Sequence, residues 1–307
     1  SFGAAVLVKH KENQKIYILK EVNISHLGKK EKDECINEVD NLQNLQHPNI
    51  VSNRESFVEN EQIYIIMNYT DGEDLFQRIQ KQKGQFIPED EILNYFVQIC
   101  LAIKHIHDRK ILHRDIKLQN IFLTSKNIVK LGNFGISHIQ NSTIEMSKTS
   151  IGNPYYLSPE ICKENKYSFK SDIWALGCVL YDLVALKRAF EAKILKGEYA
   201  PITGGEYSSA LINLISRMLR LNPKQRPTID EILHSPIIQN KINSFLSDFN
   251  ELQMKELKQK EKLQPEKEQQ MKEKSKEEMK KKKEKRKNQE KKKLLIEKSL
   301  SRKNKKS

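Results

Sequence analysis

Apolar residues in this chain change their period near residue 70, and they all but stop after Leu246. Before residue 70 they come in short β-rich runs. "AAVLVKH" and "KIYILKEV" are separated by the polar "KENQ", a hairpin pattern, and "NIVSNRESF" and "QIYIIMNY" read as two more strands. Between the pairs, "EKDECINEVDNLQNLQ" sets Cys35, Val39 and Leu42 at helical spacing, with His47-Pro48 as its stop. From Asp74 onward helices dominate. "EDEILNYFVQICLAIKHIHD" puts Leu93, Phe96, Val97 and Cys100 on one face, ready for a core. The expected fold class is α+β and two-lobed: a small strand-rich N-lobe over 1–70 and a larger helical C-lobe over 71–246. No internal repeat is present.

The remaining stretch, 247–307, has a different composition. From Glu251 to Ser307 there are 23 basic against 11 acidic side chains, a net of +12 within a chain total of +14. The preceding 250 residues, at 31 basic against 29 acidic, are close to neutral. Pro265 interrupts the tail, and Met271 and Met279 make no sustained heptad, so a solvated, helix-prone or disordered low-complexity extension is expected. "KKKKEKRK", Lys280 to Lys287, suits a nuclear import signal or contact with an acidic partner such as tubulin, nucleic acid or an acidic protein. No aromatic side chains interleave it, which excludes base stacking and leaves salt-sensitive, nonspecific attraction.

Cys35, Cys100, Cys162 and Cys178 are far apart and form no C-x-x-C pair, so free thiols in a reducing compartment are expected rather than a disulfide or zinc framework. The opening "SFGAAVLV" has no basic n-region and no cleavage pattern, so no signal peptide is expected. The longest apolar stretch, "CVLYDLVAL", is broken by Asp182 and is too short for a bilayer, so no membrane role is expected.

The strongest chemical signal is "ILHRDIKLQNIFL", Ile111 to Leu123. His113-Arg114-Asp115, followed at fixed spacing by Asn120, resembles the catalytic loop of protein kinases. Such a loop needs a carboxylate to take the proton of a substrate hydroxyl and an amide oxygen to hold Mg²⁺. Asp115 and Asn120 suit those two roles, and Lys117, two positions on, suits a contact with the transferring phosphate. Lys20 ends "KIYILK" as the phosphate-pairing lysine ends "VAIK", and Glu38 lies on the expected helix at a spacing that brings it back to Lys20. "LSPE", Leu157–Glu160, stands where kinases have "APE"; Glu160 is expected to pair with Arg226 of "NPKQRP", and Asp172 of "SDIWALG" to brace the catalytic-loop backbone.

Taken together, residues 1–246 resemble the NIMA-related (Nek) serine/threonine kinases, most nearly the members with long basic tails. "HPNIV", "HDRKILHRDIK", "QNIFLT", "YYLSPEIC" and "SDIWALGCVLYDL" carry the resemblance. It implies a protein-kinase fold, ATP and Mg²⁺ as cofactors, and protein Ser/Thr hydroxyls as substrates. Met67 would be the gatekeeper, Asn68 and Thr70 would offer hinge backbone to adenine, and Phe122 would lie under the base. Thr149 matches the activation-segment threonine phosphorylated in the family. Relatives also suggest a cytoplasmic, nuclear, centrosomal or ciliary location.

Four departures from the family pattern are legible. Ser1-Phe2-Gly3 matches only the end of the glycine-rich loop, so the kinase domain is expected to be N-terminally truncated, with Gly3 and Ala5 approaching the nucleotide. Asn133, in "KLGNFG", replaces the aspartate that gives Mg²⁺ a full charge, leaving it a weak ligand. Asn153 replaces a threonine whose hydroxyl bonds the catalytic aspartate and lysine. "AFEAKILKGEYAPI" is short, as if part of a large-lobe helix were lost. Two functional readings follow: a serine/threonine kinase weakened by Asn133 and Asn153, and a catalytically dead pseudokinase that binds nucleotide or partners.

Overall fold

A computed structural model describes residues 5–43, 45–132, 154–190 and 194–247, apart from the side chains of Glu38, Asn41 and Pro154. The small lobe contains β1 (Ala5–Lys9), β2 (Ile16–Asn23), α1 (Lys29–Gln43), β3 (Asn53–Glu59) and β4 (Gln62–Asn68). Its sheet runs β1-β2-β4-β3 with antiparallel neighbours throughout. Helix α1 starts earlier than its apolar spacing predicts, because the Glu31 carboxylate accepts the Gly28 amide at 2.8 Å and caps the first turn. Cys35 and Val39 from α1 meet Val22, Ile24, Leu27, Ile63 and Ile65 in a buried cluster, which fixes the helix under the sheet.

One expected strand begins late. The stretch read as a strand from Asn49 is paired in the sheet only from Asn53, and the register slips between Asn53 and Glu55. Residues 49–51 are drawn away by the large lobe. Leu131 N donates to Asn49 O, and Val51 N donates to Leu131 O, both at 2.8 Å. The Asn49 side chain, buried, donates to Gln98 Oε1 at 2.9 Å and to Val129 O at 3.0 Å. The two lobes are therefore stitched together by backbone bonds just ahead of β3.

The large lobe contains α2 (Leu75–Lys81), α3 (Glu89–Asp108), a 3₁₀ turn at Leu118–Asn120, and the two-stranded ladder β5 (Ile121–Leu123) and β6 (Val129–Leu131). Further along the chain follow α4 (Pro159–Cys162), α5 (Phe169–Ala185), α6 (Ser209–Met218) and α7 (Ile229–Leu233). In α3 the expected face of Leu93, Phe96, Val97 and Cys100 is buried, but so are Ile92, Tyr95, Ile99, Ala102, Ile103 and Ile106. The helix is enclosed on most sides because α5, α7 and β6 all pack against it. Its ends follow the dipole: Glu89, Asp90 and Glu91 fill the first turn, His105 and His107 the last.

Helix α5 is the axis of the lobe. Ser168 and Ser171 form a reciprocal capping box at its start, and every residue from Ser171 to Val184 is buried. Two carboxylates, Asp172 and Asp182, are carried into that interior and must find partners there. Among the described residues no helix is long and apolar enough to cross a membrane. None of the four cysteines is in a disulfide. The described part of "AFEAKILKGEYAPI" holds only a 3₁₀ turn at Ile194–Lys196.

Candidate active site

The loop between α3 and the 3₁₀ turn is held by one buried carboxylate. Asp172 accepts the backbone amides of His113 and Arg114, each at 3.0 Å, and the Tyr167 hydroxyl at 2.8 Å. His107 Nε2 donates to it at 2.9 Å. Burial pushes the Asp172 carboxyl up, but the His107 and backbone hydrogen bonds outweigh it and hold the group below its usual range. These bonds support a strained backbone, since Arg114 has φ 64, a left-handed conformation that L-residues rarely adopt. His113 is fully buried; burial pushes its imidazole down against the opposing pull of Asp172 and Asp115. Its Nδ1 accepts the Asp115 amide at 3.3 Å.

The side chain that this loop presents is Asp115. Lys117 Nζ donates to its carboxylate at 2.8 Å. Asn120 Nδ2 donates to Asp115 Oδ2 at 2.8 Å and to Asp115 O at 2.6 Å. Asn120 is placed by the 3₁₀ turn and by its own carbonyl, which accepts Gly132 N at 2.9 Å. With Nδ2 turned to Asp115, Oδ1 is the Asn120 atom suited to a hard cation such as Mg²⁺. Among the described residues no group of three His, Cys, Asp or Glu side chains gathers to hold a metal. Among the described residues, Asn120 Oδ1 is thus the amide oxygen placed beside Asp115 that suits such a cation.

Next to this carboxylate lies a cavity of about 490 Å³, a size suited to a small-molecule cofactor. Its apolar walls include Ala5, Ile18, Val51 and Phe122, with Met67, Asn68 and Thr70 from the end of β4 and the segment after it. Lys20 and Asn120 supply polar groups to the same cavity. Lys20 is central in β2, opposite Ala5 of β1 and Ile65 of β4. Burial pushes its ammonium down, while the nearby Asp115 charge opposes that and Lys117 adds to it. Lys20, Asp115, Lys117 and Asn120 thus converge, although almost 100 residues of sequence separate the first from the rest.

Two glycines complete the cavity. A Cβ at Gly132 would fall 2.9 Å from Phe122 Cε2 and 3.0 Å from Val51 Cγ2. A Cβ at Gly72 would fall 1.5 Å from Leu123 O, so only glycine permits this approach of the hinge to β5. Their placement was not read from the sequence; an isolated glycine beside "YTD" and another before Asn133 were the available signals. His107 and Tyr167 as partners of Asp172 were also missed, since nothing in their spacing reveals a shared carboxylate.

Arg226 and Glu160 meet as expected. Arg226 is 1% exposed. Nη1 and Nη2 donate to the two Glu160 oxygens at 2.7 Å each. The other N–H groups donate to Arg220 O, Lys170 O and Leu221 O at 2.7, 2.8 and 3.1 Å. All five guanidinium donors are satisfied. Glu160 Oε1 also accepts the Ser171 hydroxyl at 2.8 Å. Gly3, Asn133, Thr149 and Asn153 lie outside the described residues, as does the Glu38 side chain.

Comparison with known proteins agrees with this geometry. The protein kinase domain family matches residues 1–238. Serine/threonine-protein kinase Nek1 of Mus musculus is 54% identical over 255 residues, covering 80% of this chain and 21% of the relative. Serine/threonine-protein kinase Nek5 of Homo sapiens is 47% identical over 256 residues, covering 80% of this chain and 36% of the relative. The chain therefore spans about a fifth of the first of these relatives and just over a third of the second. Among solved structures, Rad53 1-466 in complex with AMP-PNP superposes with a TM-score of 0.65 at 25% identity, covering 78% of this chain and 62% of that one. The chain belongs to the protein kinase domain family, and its relatives are Nek serine/threonine kinases.

Proposed function

We propose that this chain transfers the γ-phosphate of ATP to Ser or Thr hydroxyls of proteins, at a rate limited by a weak metal site. The observation that carries the reading is the Asp115 carboxylate, held by Lys117 and Asn120 beside the cavity that Lys20 lines. Asp115 accepts the proton of the attacking hydroxyl as its oxygen bonds the γ-phosphorus and the bond to the ADP oxygen breaks. Lys117, already on Asp115, offsets charge on the transferring phosphoryl group, and Lys20 pairs with the phosphates that stay behind. The apolar walls of the cavity and the backbone at Asn68 and Thr70 take the adenine. The neighbour Rad53, solved with AMP-PNP, supports a nucleotide in this place. Magnesium, when bound with ATP, supplies charge neutralisation at the phosphates.

Asn133 limits the rate in this reading. An asparagine offers a neutral oxygen where the family has a charged one, and loss of one such electrostatic element costs on the order of 10²–10³ in rate. Typical kinase turnover is roughly 1–100 per second, so a residual but low rate follows. The same substitution favours a second reading, a module that binds nucleotide and partners without transfer. The functional unit proposed is 1–246, with 247–307 as a basic tail that contacts acidic surfaces. Sites of action in the cytoplasm, nucleus, centrosome or cilium are carried over from the resemblance. The test is incorporation of label from γ-labelled ATP into serine and threonine peptides. The reading expects incorporation that Asp115→Asn removes. Equal incorporation by Asp115→Asn would overturn the assignment of the base, and none by the parent chain would favour the second reading.

A further inference from the structure

A second cavity, of about 420 Å³, lies beside the catalytic loop and has no part in the scheme above. Its walls include Phe76 and Lys83 from the α2 region, Leu118 of the 3₁₀ turn that follows Lys117, and Asp182, Lys187 and Arg188 at the end of α5. The chain leaves α5 through Leu186 at φ 53, a left-handed turn that costs a non-glycine residue free energy. At its far end Phe190 is stacked on Trp174 at 5.0 Å. Between these two anchors the backbone doubles back, and Ala189 N donates to Asp182 Oδ1 at 3.0 Å. That fold-back brings Lys187 and Arg188 to the cavity.

The charges there do not balance. Lys83, Lys187 and Arg188 face a single acid, Asp182, among the described lining residues. Asp182 is already committed, because its other oxygen accepts the Tyr156 hydroxyl at 2.7 Å. Burial pushes its carboxyl up to about 7, so its negative charge is only partly present at neutral pH. The Arg188 guanidinium lies over the rings of Tyr155 at 4.6 Å and Tyr156 at 5.5 Å. Its Nη1 is buried and has no hydrogen-bond partner among the described residues. A buried charged donor without an acceptor is costly, and such a group marks a place where an anion would be stabilised.

We propose that this cavity is a docking subsite for an anionic side chain, a carboxylate or a phosphate, carried by the protein substrate near its phosphoacceptor. The identification of the ligand as a substrate segment rests on the phosphotransfer reading; the preference for an anion does not. Arg188, fixed by the Tyr155 and Tyr156 rings, gives a directional contact, while Lys83 and Lys187 add charge. Leu118 and Phe76 supply an apolar floor for the stem of the side chain.

The test is fluorescence anisotropy on the full chain with serine peptides that carry one variable residue. Glutamate, phosphoserine, glutamine or lysine is walked along both sides of the serine. At one offset an anionic residue should bind about 10-fold tighter than glutamine, and the two anionic arms tell carboxylate from phosphate. Arg188→Glu should reverse the preference toward lysine. Should that variant not fold, the parent chain still answers: the anionic preference must shrink as salt rises from about 50 to about 500 mM. Equal binding, or no binding, of anionic and neutral peptides at every offset overturns the proposal, as does a preference that survives Arg188→Glu or high salt. Anisotropy needs no transfer, so failure of every peptide to be phosphorylated would sink the phosphotransfer reading and leave the subsite to this result.

Discussion

Replacing Arg226 with methionine should cost the fold about 3–5 kcal/mol. The side chain is 1% exposed and makes five hydrogen bonds, two of them to Glu160. Methionine keeps much of the volume but leaves the Glu160 carboxylate, only 10% exposed, without its cation. It also strips donors from three carbonyls and removes the guanidinium from its position 4.9 Å over the Trp174 ring. For a domain of this size each kcal/mol shifts Tm by about 2–4 °C, so a fall of roughly 6–20 °C is expected by calorimetry. Much of that loss comes from the stranded charge, so Glu160→Gln placed on top of Arg226→Met should cost much less than it does alone. A double-mutant cycle in urea should show a coupling of about 2–3 kcal/mol. Additive effects, or a single-variant loss under about 1 kcal/mol, would show that the pair does not anchor α4 to the 220–226 turn.

The pH dependence of stability has two opposed parts. Glu160 and Asp172 have folded pKa values below their unfolded ones: burial raises each, but hydrogen bonds from Arg226 and from His107 outweigh it. Their contribution is complete above about pH 4.5 and is lost as pH falls through the folded values, which urea titrations in acid should show. Asp182 is raised by burial to about 7, so it contributes the opposite slope, weakening the fold as pH rises from about 4 to 7. Asp182→Asn should flatten that slope; an unchanged slope would refute the assignment. Gly72→Ala should destabilise strongly, because its Cβ meets backbone. Gly132→Ala should chiefly weaken nucleotide binding, because its Cβ pushes the Phe122 ring into the cavity. Nucleotide titrations and melts of both variants separate the two effects. Removing 251–307 should leave Tm within a few degrees, since that stretch has too little apolar content to offset its ordering entropy.

Local patterns in the sequence carried the parts of the fold that local physics decides. Helix α3 has the bounds that its apolar spacing and acidic first turn predict, and β2 and β4 follow their β-branched runs. Glu160 with Arg226 and Asp172 with the 113–114 backbone were legible because a motif fixes both partners. Long-range competition was not legible. The pairing of Val51 with Leu131, 80 positions on, removes the start of the expected third strand. The all-round burial of α3 depends on three elements packing against it, which no single helical face reveals. The left-handed backbone of Arg114 is likewise imposed by a carboxylate some 58 positions away. The second cavity follows from the turn after α5, where an isolated "LKR" gives no sign that the chain folds back.

The most direct test of the proposal that the kinase site is short of one metal charge is the rate of phosphate transfer from γ-labelled ATP with Mg²⁺, compared between the parent chain and Asn133→Asp. In the proposed reading adenine is held by apolar walls such as Ala5 and Phe122 and by the hinge at Thr70, so nucleotide affinity should change little. Charge moves at the phosphates in the transition state, so Asn133→Asp should raise turnover by roughly 10²-fold or more. Asn153→Thr should be present in both chains, so that a defect at that position does not mask the gain. A large rise in turnover with nearly constant nucleotide affinity is the predicted result. Equal turnover with asparagine or aspartate at position 133 would contradict the account and make Asn133 a sufficient metal ligand.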